Sequence, residues 1–267
     1  MSRPRPNPRL RWTERDEQLT CFASQQWCLD LATFGLLAGT ERSRTYELLA
    51  RLRDGFGVAQ SVAIYPEGHD REVTVIWPWP AVAAERLGHS VSAWSPSRTN
   101  IVHKLAVSRV RAALCGLEPG LWVPERKLLR EAAIDAGQRP GGVSAVDRRG
   151  LVPRLPGPVA RRHVHDGRYL YRGGWLSVEV ELSLKRPSRK RLGHTVFRAY
   201  QRAAAVGDGL LYLYKTDRIG NALERAVLDL IGSGRVPAHP DIRLRPLQQV
   251  LDDRSIDLPT LGEEDAS

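Results

Sequence analysis

The residues of this chain best placed to do chemistry are carboxylates. His165-Asp166-Gly167 precedes the run Val178-Glu179-Val180-Glu181-Leu182-Ser183-Leu184-Lys185, with Glu179 thirteen positions after Asp166. In a β-strand successive side chains alternate between faces, so Glu179, Glu181 and Ser183 share one face and Val178, Val180, Leu182 and Leu184 the other. An Asp at the end of an adjoining strand, with Gly167 after it to let the chain turn, brings a third carboxylate. Asp166, Glu179 and Glu181 then form an oxygen-ligand set suited to Mg²⁺, with Mn²⁺ as a substitute, held against a phosphodiester. The chemistry implied is metal-dependent cleavage of a nucleic-acid backbone, with Asp166, Glu179, Glu181 and Lys185 as candidate catalytic residues. Alternating acid and aliphatic residues are also what a half-exposed strand shows when only one face packs. The run Arg186, Arg189, Lys190 and Arg191 beside the strand favours the metal reading, because a site that cuts DNA needs cations for phosphate next to acids for metal.

The whole composition points to the same partner. At 267 residues the length suits two ordinary domains. A net charge of +10 and a pI near 10.0 favour a polyanion, double-stranded DNA first, because bound Lys and Arg release counterions from the phosphate backbone. Charge is uneven: residues 1–12 read as a flexible basic arm and residues 251–267 as an acidic flexible tail. Cys21, Cys28 and Cys115 are too few and too poorly spaced for a disulfide framework or zinc site, which fits core thiols in a reducing, cytoplasmic setting. No run approaches the roughly 18 apolar residues of a membrane span, and no signal-peptide stretch follows the Arg- and Pro-rich start. No membrane partner is expected. His103, His163, His165 and His194 form no His-x-x-x-His pair and read as ordinary histidines, with His165 kept in view because it adjoins Asp166. Gly207-Asp208-Gly209 has no Lys-Ser/Thr sequel and is a connection, not a phosphate-binding loop.

The elements that must position these groups fall into two blocks. In residues 13–88, Thr13 with Asp16 forms a capping pair for a helix over 14–27, with Trp12 stapling against its first turn. A short apolar helix over 29–37 follows, then a third over 41–54 capped by Thr40. Three short helices with tight turns suggest a helix-turn-helix. On the third, Thr45, Leu48, Leu49 and Leu52 form the inward stripe, leaving Arg42, Arg44, Arg51 and Arg53 outward for the major groove. Strands over 58–65 and 71–77, a tight reversal between them and a helix over 81–87 complete a winged helix.

Residues 89–98 are Ser-rich and read as a linker, and residues 99–250 form the second block. Helices are expected over 100–114 and from Glu125 to Ala136, an irregular basic loop over 137–158, then strands over 159–164, 168–171 and 175–184 with Gly173-Gly174 as the last turn. A helix over 189–206, a buried strand over 210–214 and a helix starting at Asp217 and ending at Leu230 close the pattern. This order of helix, three strands, helix, strand, helix makes an α+β to α/β layer that recurs in restriction-endonuclease-like folds.

Several of these features together resemble one family. The winged-helix pattern, His103-Lys104-Leu105-Ala106-Val107, the Trp122 to Arg126 segment, His165-Asp166-Gly167 in place of Pro-Asp-Gly, Glu179-Val180-Glu181 and Tyr200 are similar to the replication-relaxation proteins of actinobacterial plasmids and integrative elements. These pair a winged helix with a PD-(D/E)xK nuclease-like domain. The resemblance implies that Asp166 and Glu179 are the motif acids. The motif Lys position is Glu181 here, and Lys185, the substitute at hand, starts about 13 Å away at roughly 3.3 Å per residue. It further implies a DNA-binding protein of a mobile genetic element, with a relaxase or another transfer protein as partner, a possible homodimer, and Arg186, Arg189, Lys190 and Arg191 on phosphate. The alternatives are a catalytically silent DNA-binding accessory or regulator, and an adaptor that binds protein alone.

Overall fold

The computed structural model describes residues 10–68, 70–135, 163–184 and 189–257, and of residues 189 and 190 the backbone alone. Its architecture is mixed α+β: two sheets, each with helices packed on it. Residues 1–9 of the basic arm, the loop over 137–158, the strand positions 159–162, Lys185, Arg186 and residues 258–267 of the tail lie outside the described residues.

The first helix, α1 (Glu14–Gln25), begins at the expected capping box, in which Thr13 N donates to Asp16 Oδ2 at 2.8 Å and Asp16 N to Thr13 Oγ1. Trp12 donates to Glu17 at 3.1 Å and packs edge-on to Phe56. The apolar run after α1 is not one helix. It opens as a two-residue strand, β1 (Leu29–Asp30), and continues as α2 (Leu31–Ala38). The cause is long-range pairing, Leu29 with Ile76 and Asp30 with Val75, after which Asp30 accepts from Thr33 N at 2.7 Å and caps α2. Helix α3 (Arg42–Ala50) runs into a π-helical turn (Arg51–Gly55), and its inward residues Thr45, Leu48, Leu49 and Leu52 are buried. Its N-cap is Glu41, not Thr40, whose hydroxyl lies 3.0 Å from that of Thr45. The hairpin β2 (Ala59–Ile64) and β3 (Val73–Pro78) completes a sheet of order β1-β3-β2, and α4 (Pro80–Leu87) ends at Gly88 with φ 67°. Leu19, Phe22, Phe34, Leu49, Ile76 and Val82 fill the core between these elements.

The second sheet has the order β4 (Trp122–Pro124), β5 (Gly167–Tyr171), β6 (Gly174–Glu181), β7 (Gly209–Tyr214), β8 (Ile242–Pro246). Its first two pairings are antiparallel and its last two parallel. One face carries Val178, Val180, Leu211 and Leu213 against α5 (Ile101–Cys115) and α9 (Leu247–Asp253). The other carries Leu210, Tyr212 and Leu244 against α7 (Arg189–Ala204) and α8 (Asp217–Gly232). Covering both faces explains why β7 is apolar throughout, as central parallel strands are. Helix α6 (Glu125–Asp135) follows β4 directly.

Four local expectations are corrected. The β5–β6 turn is at Arg172-Gly173, with φ of 49° and 83°, so Gly174 is already in the strand. Gly167 does not serve a turn: it opens β5, and a Cβ there would lie 2.2 Å from Trp122 Cζ2. Thr216 is the N-cap of α8, in place of Asp217. Strand β8 and helix α9 follow the last element expected from sequence, and they finish one sheet edge and one helical layer.

Residues 89–97 carry no regular structure, as expected of a linker, yet α5 ties the two sheets together. Ile101 and Leu105 pack with Cys28 and Val75, Ser108 donates to the Cys28 carbonyl, and Arg109 pairs with Asp30 at 2.6 Å. Among the described residues no helix is long and apolar enough to cross a membrane.

Candidate functional site

Strand β6 sits in the middle of the second sheet, bonded to β5 and β7. Its aliphatic residues Val178 and Val180 enter the α5/α9 core, so Glu179 and Glu181 project from the opposite face, as the alternation requires. Asp166 lies one residue before β5. Extending the register Gly167 to Val178 by one sets it opposite Glu179. The backbone fastens it there: Asp166 N donates to Val178 O at 3.0 Å, and Asp166 Oδ2 accepts from Val180 N at 2.8 Å. Asp166, Glu179 and Glu181 line one cleft of about 1070 Å³, closed on other sides by His103, Lys104, Arg191 and Lys215. It opens where the parallel strands β6 and β7 end, the usual place for a ligand in such sheets. Glu67, in the β2–β3 loop, also reaches it, so the first sheet's hairpin borders the cleft.

Histidines, not each other, occupy two of the three carboxylates. His103 Nε2 lies 2.7 Å from Asp166 Oδ1. His163 Nε2 and His165 Nδ1 each lie 2.6 Å from the same oxygen, Glu179 Oε1, with their rings edge-to-face. His163, His165 and Glu179 are the one group of metal-ligating side chains among the described residues whose donor atoms all lie within 4.8 Å of one another. Asp166 and Glu181 line the same cleft but stand outside that group. The three carboxylates expected from sequence share one cleft, and the donors gathered most closely within it are Glu179 and two histidines. Glu181 is half-buried, and its Oε1 accepts from Ser183 N at 3.4 Å.

The electrostatics follow from burial and these pairs. Burial pushes the Asp166 carboxyl upward, and the charge of Glu179 adds to that against the His103 hydrogen bond. Burial would raise Glu179 too, but hydrogen bonds from His163 and His165 overcome it and hold its carboxyl below the usual range. Burial disfavours charge on His103 and His163, yet the adjoining carboxylates, Asp166 and Glu179 respectively, outweigh it and raise both imidazoles. Burial raises Glu181 as well. The Tyr212 hydroxyl, on the same face of β7, is buried without a hydrogen-bond partner among the described residues and held well above its ordinary value by burial and then by Glu179, Glu181 and Asp166.

Cations meet the acids from several elements. Lys215 follows β7, and its N–H donates to the Glu181 carbonyl at 3.1 Å, which puts an exposed ammonium beside the Glu181 end of β6. Lys104 is engaged by Glu125. Of the basic residues expected to hold phosphate, Arg191 lines the cleft and is exposed; Arg189 and Lys190 open α7 with side chains outside the described residues. Lys185, the expected Lys substitute, and Arg186 also lie outside them. The α3 arginines divide. Arg42 and Arg44 are exposed. Arg51 turns back onto α1, pairing with the fully buried Asp16 at 2.6 Å and donating to the Arg11 carbonyl, and Arg53 binds Asp54 and Ser61. Arg51 thus braces the π-helical turn against α1, while Arg53 stays partly exposed beside Asp54.

Sequence reasoning passed over His103 and His163. One signal was present: in an extended segment His163 and His165, two apart, point the same way, directly before Asp166. No such signal ties His103 to Asp166, 63 positions away. No protein-family model, curated protein or solved structure matches this chain.

Proposed function

We propose that this chain is a DNA-binding protein whose second sheet carries a metal-dependent nuclease-like site. The observation that carries the proposal is the placement of Asp166, just before β5, and Glu179, central in β6, on the wall of one open cleft bordered by Lys215 and Arg191. Supporting it, the order helix, strand, helix, helix, hairpin with a β1-β3-β2 sheet suits a winged helix, with Arg42 and Arg44 on the exposed side of α3. The second sheet, antiparallel through β6 and then parallel with helices on both faces, suits a restriction-endonuclease-like, PD-(D/E)xK domain. The resemblance to replication-relaxation proteins extends the proposal to the DNA of a mobile element, with a relaxase as the partner served.

In this reading Lys215 and Arg191 hold the phosphate, Glu179 holds the ion with Asp166 beside it, and Glu181 stands at the cleft mouth. A bound divalent ion supplies charge stabilisation on the phosphate oxygens and lowers the pKa of a bound water. The donors fit Mn²⁺ better than Mg²⁺: Asp166 Oδ1 and Glu179 Oε1 both face imidazoles, and Mg²⁺ prefers oxygen alone.

Supercoiled plasmid incubated with the full chain and Mn²⁺ or Mg²⁺ tests this. Nicking is expected with the wild type and lost in Asp166→Asn, while DNA affinity at low salt is kept. Intact plasmid with tight, salt-sensitive binding would instead establish the second reading, a silent DNA-binding accessory. Glu181 at the motif Lys position and Glu179 committed to two histidines favour that reading. No measurable DNA affinity at low ionic strength would refute both.

A further inference from the structure

We propose that His163, His165 and Glu179 bind a divalent first-row transition ion of the Zn²⁺ or Mn²⁺ class, as a two-histidine, one-carboxylate site at the inner wall of the cleft. The inference rests on the nuclease reading for what the ion does to DNA, and not for its binding.

Geometry comes first. Zn²⁺ takes His nitrogen and carboxylate oxygen at about 2.0–2.2 Å, so its donors sit no more than about 4.2 Å apart. The three donor atoms here all lie within 4.8 Å of one another, and both nitrogens stand 2.6 Å from Glu179 Oε1, so an ion that sets its donors about 3.4 Å apart would enter as the imidazoles swing back from the carboxylate by about 1 Å. The two imidazoles come from alternate residues of one extended segment, and Glu179 comes from the rigid centre of a five-stranded sheet.

Charge and desolvation point the same way. Both imidazole nitrogens converge at 2.6 Å on a single carboxylate oxygen, and the side chains are 20%, 5% and 15% exposed for His163, His165 and Glu179. So little solvent reaches the group that the charge of Glu179 must be balanced from within. Asp166, the next residue after His165, adds a second carboxylate, pinned to Val180 N and His103. Two buried acids side by side are stabilised by a dication in their midst, which would take the place of the two imidazole protons now directed at Glu179. Asp166 would then act as an outer partner of the site, holding the His165 segment to β6.

The donor chemistry selects the ion. Two nitrogens and one oxygen suit borderline ions and exclude the all-oxygen shell that Mg²⁺ and Ca²⁺ require. Three protein donors leave coordination positions open, the arrangement of a working site and not of a closed structural one. The open side adjoins the cleft through Glu179, which lines it.

The test uses the full chain, freed of metal with a chelator and titrated with Zn²⁺ in the absence of DNA. One equivalent of Zn²⁺ is expected to survive gel filtration and excess Mg²⁺. His163→Ala and His165→Ala should each weaken binding by more than roughly 100-fold, since loss of even an outer partner costs about 10- to 100-fold. X-ray absorption of the Zn²⁺-loaded wild type, which needs no variant to fold, should show two imidazole ligands. No retained Zn²⁺, unchanged affinity in both variants, or a shell without imidazole would overturn the inference. Zn²⁺ held by a protein that leaves DNA intact with every metal supplied upholds this site and sinks the nuclease; nicking by a chain that holds no Zn²⁺ does the reverse.

Discussion

Arg51 and Arg44 lie on the same short segment and have the same chemistry, yet replacing them should have opposite consequences. Arg51 reaches back to Asp16, whose carboxylate is fully buried, at 2.6 Å. Removing one member of a buried pair costs about 3–5 kcal/mol when the other charge is stranded. Two facts reduce that figure. The Arg51 side chain is 28% exposed, so solvent already screens part of the interaction, and Asp16 keeps its bonds from Thr13 N and Oγ1. Arg51→Ala also loses the bond to the Arg11 carbonyl and the contact over the Phe56 ring, at 5.4 Å. The net expectation is a loss of about 2 kcal/mol, a fall in Tm of roughly 4–8 °C for a chain of this size. Arg44 is exposed, and among the described residues no hydrogen bond or ion pair ties it to the fold, so Arg44→Ala should change stability by less than about 0.5 kcal/mol. Its effect should appear in DNA binding, as a decrease of about 1 in the slope of log affinity against log salt. Thermal melts and anisotropy titrations over a salt series read both quantities. Should Arg51→Ala melt with the wild type while Arg44→Ala unfolds early, the division of α3 into a brace and a DNA-facing side is wrong.

Two further outcomes probe the packing. Gly167→Ala places a Cβ 2.2 Å from the Trp122 ring, and the overpacking should cost about 1–3 kcal/mol in urea or thermal denaturation; a neutral substitution would show that β4 can shift away from β5 without penalty. Burial pushes the thiols of Cys28 and Cys115 up to about 12 and that of Cys21 to about 11, so at pH 8 the folded protein should show almost no reaction with a thiol-specific disulfide reagent, against three equivalents after denaturation. Rapid labelling of Cys28 or Cys115 in the folded chain would contradict its place in the core, whereas Cys21 is only half-buried.

Much of the local structure was legible because its causes are local. Thr13 and Asp16 are three apart and cap the same turn wherever α1 packs. Gly39 and Gly88 end α2 and α4 with positive φ because a residue without a Cβ reaches that conformation at little cost. The alternation of Glu179 and Glu181 with Val178 and Val180 carries over directly into two faces of β6. Where the cause was distant, local pattern misled. Leu29-Asp30 has the texture of a helix start but pairs with Val75 and Ile76, and Gly167 has the look of a turn but makes room for an indole 45 positions earlier. Strand β8 is short and rich in Arg, and it becomes a strand by joining the edge of β7.

The site shows the same division. The amino-acid sequence by itself determined that carboxylates would share one face of a strand and that Asp166 would precede the neighbouring strand. Only the tertiary structure decided which groups those carboxylates meet. His103 comes from a helix 63 positions before Asp166, and His163 and His165 close on Glu179 across 16 and 14 positions. Alternation reports the face on which a side chain stands. Which partner shares that face is settled by the packing of separate elements, and here it set histidines against Asp166 and Glu179.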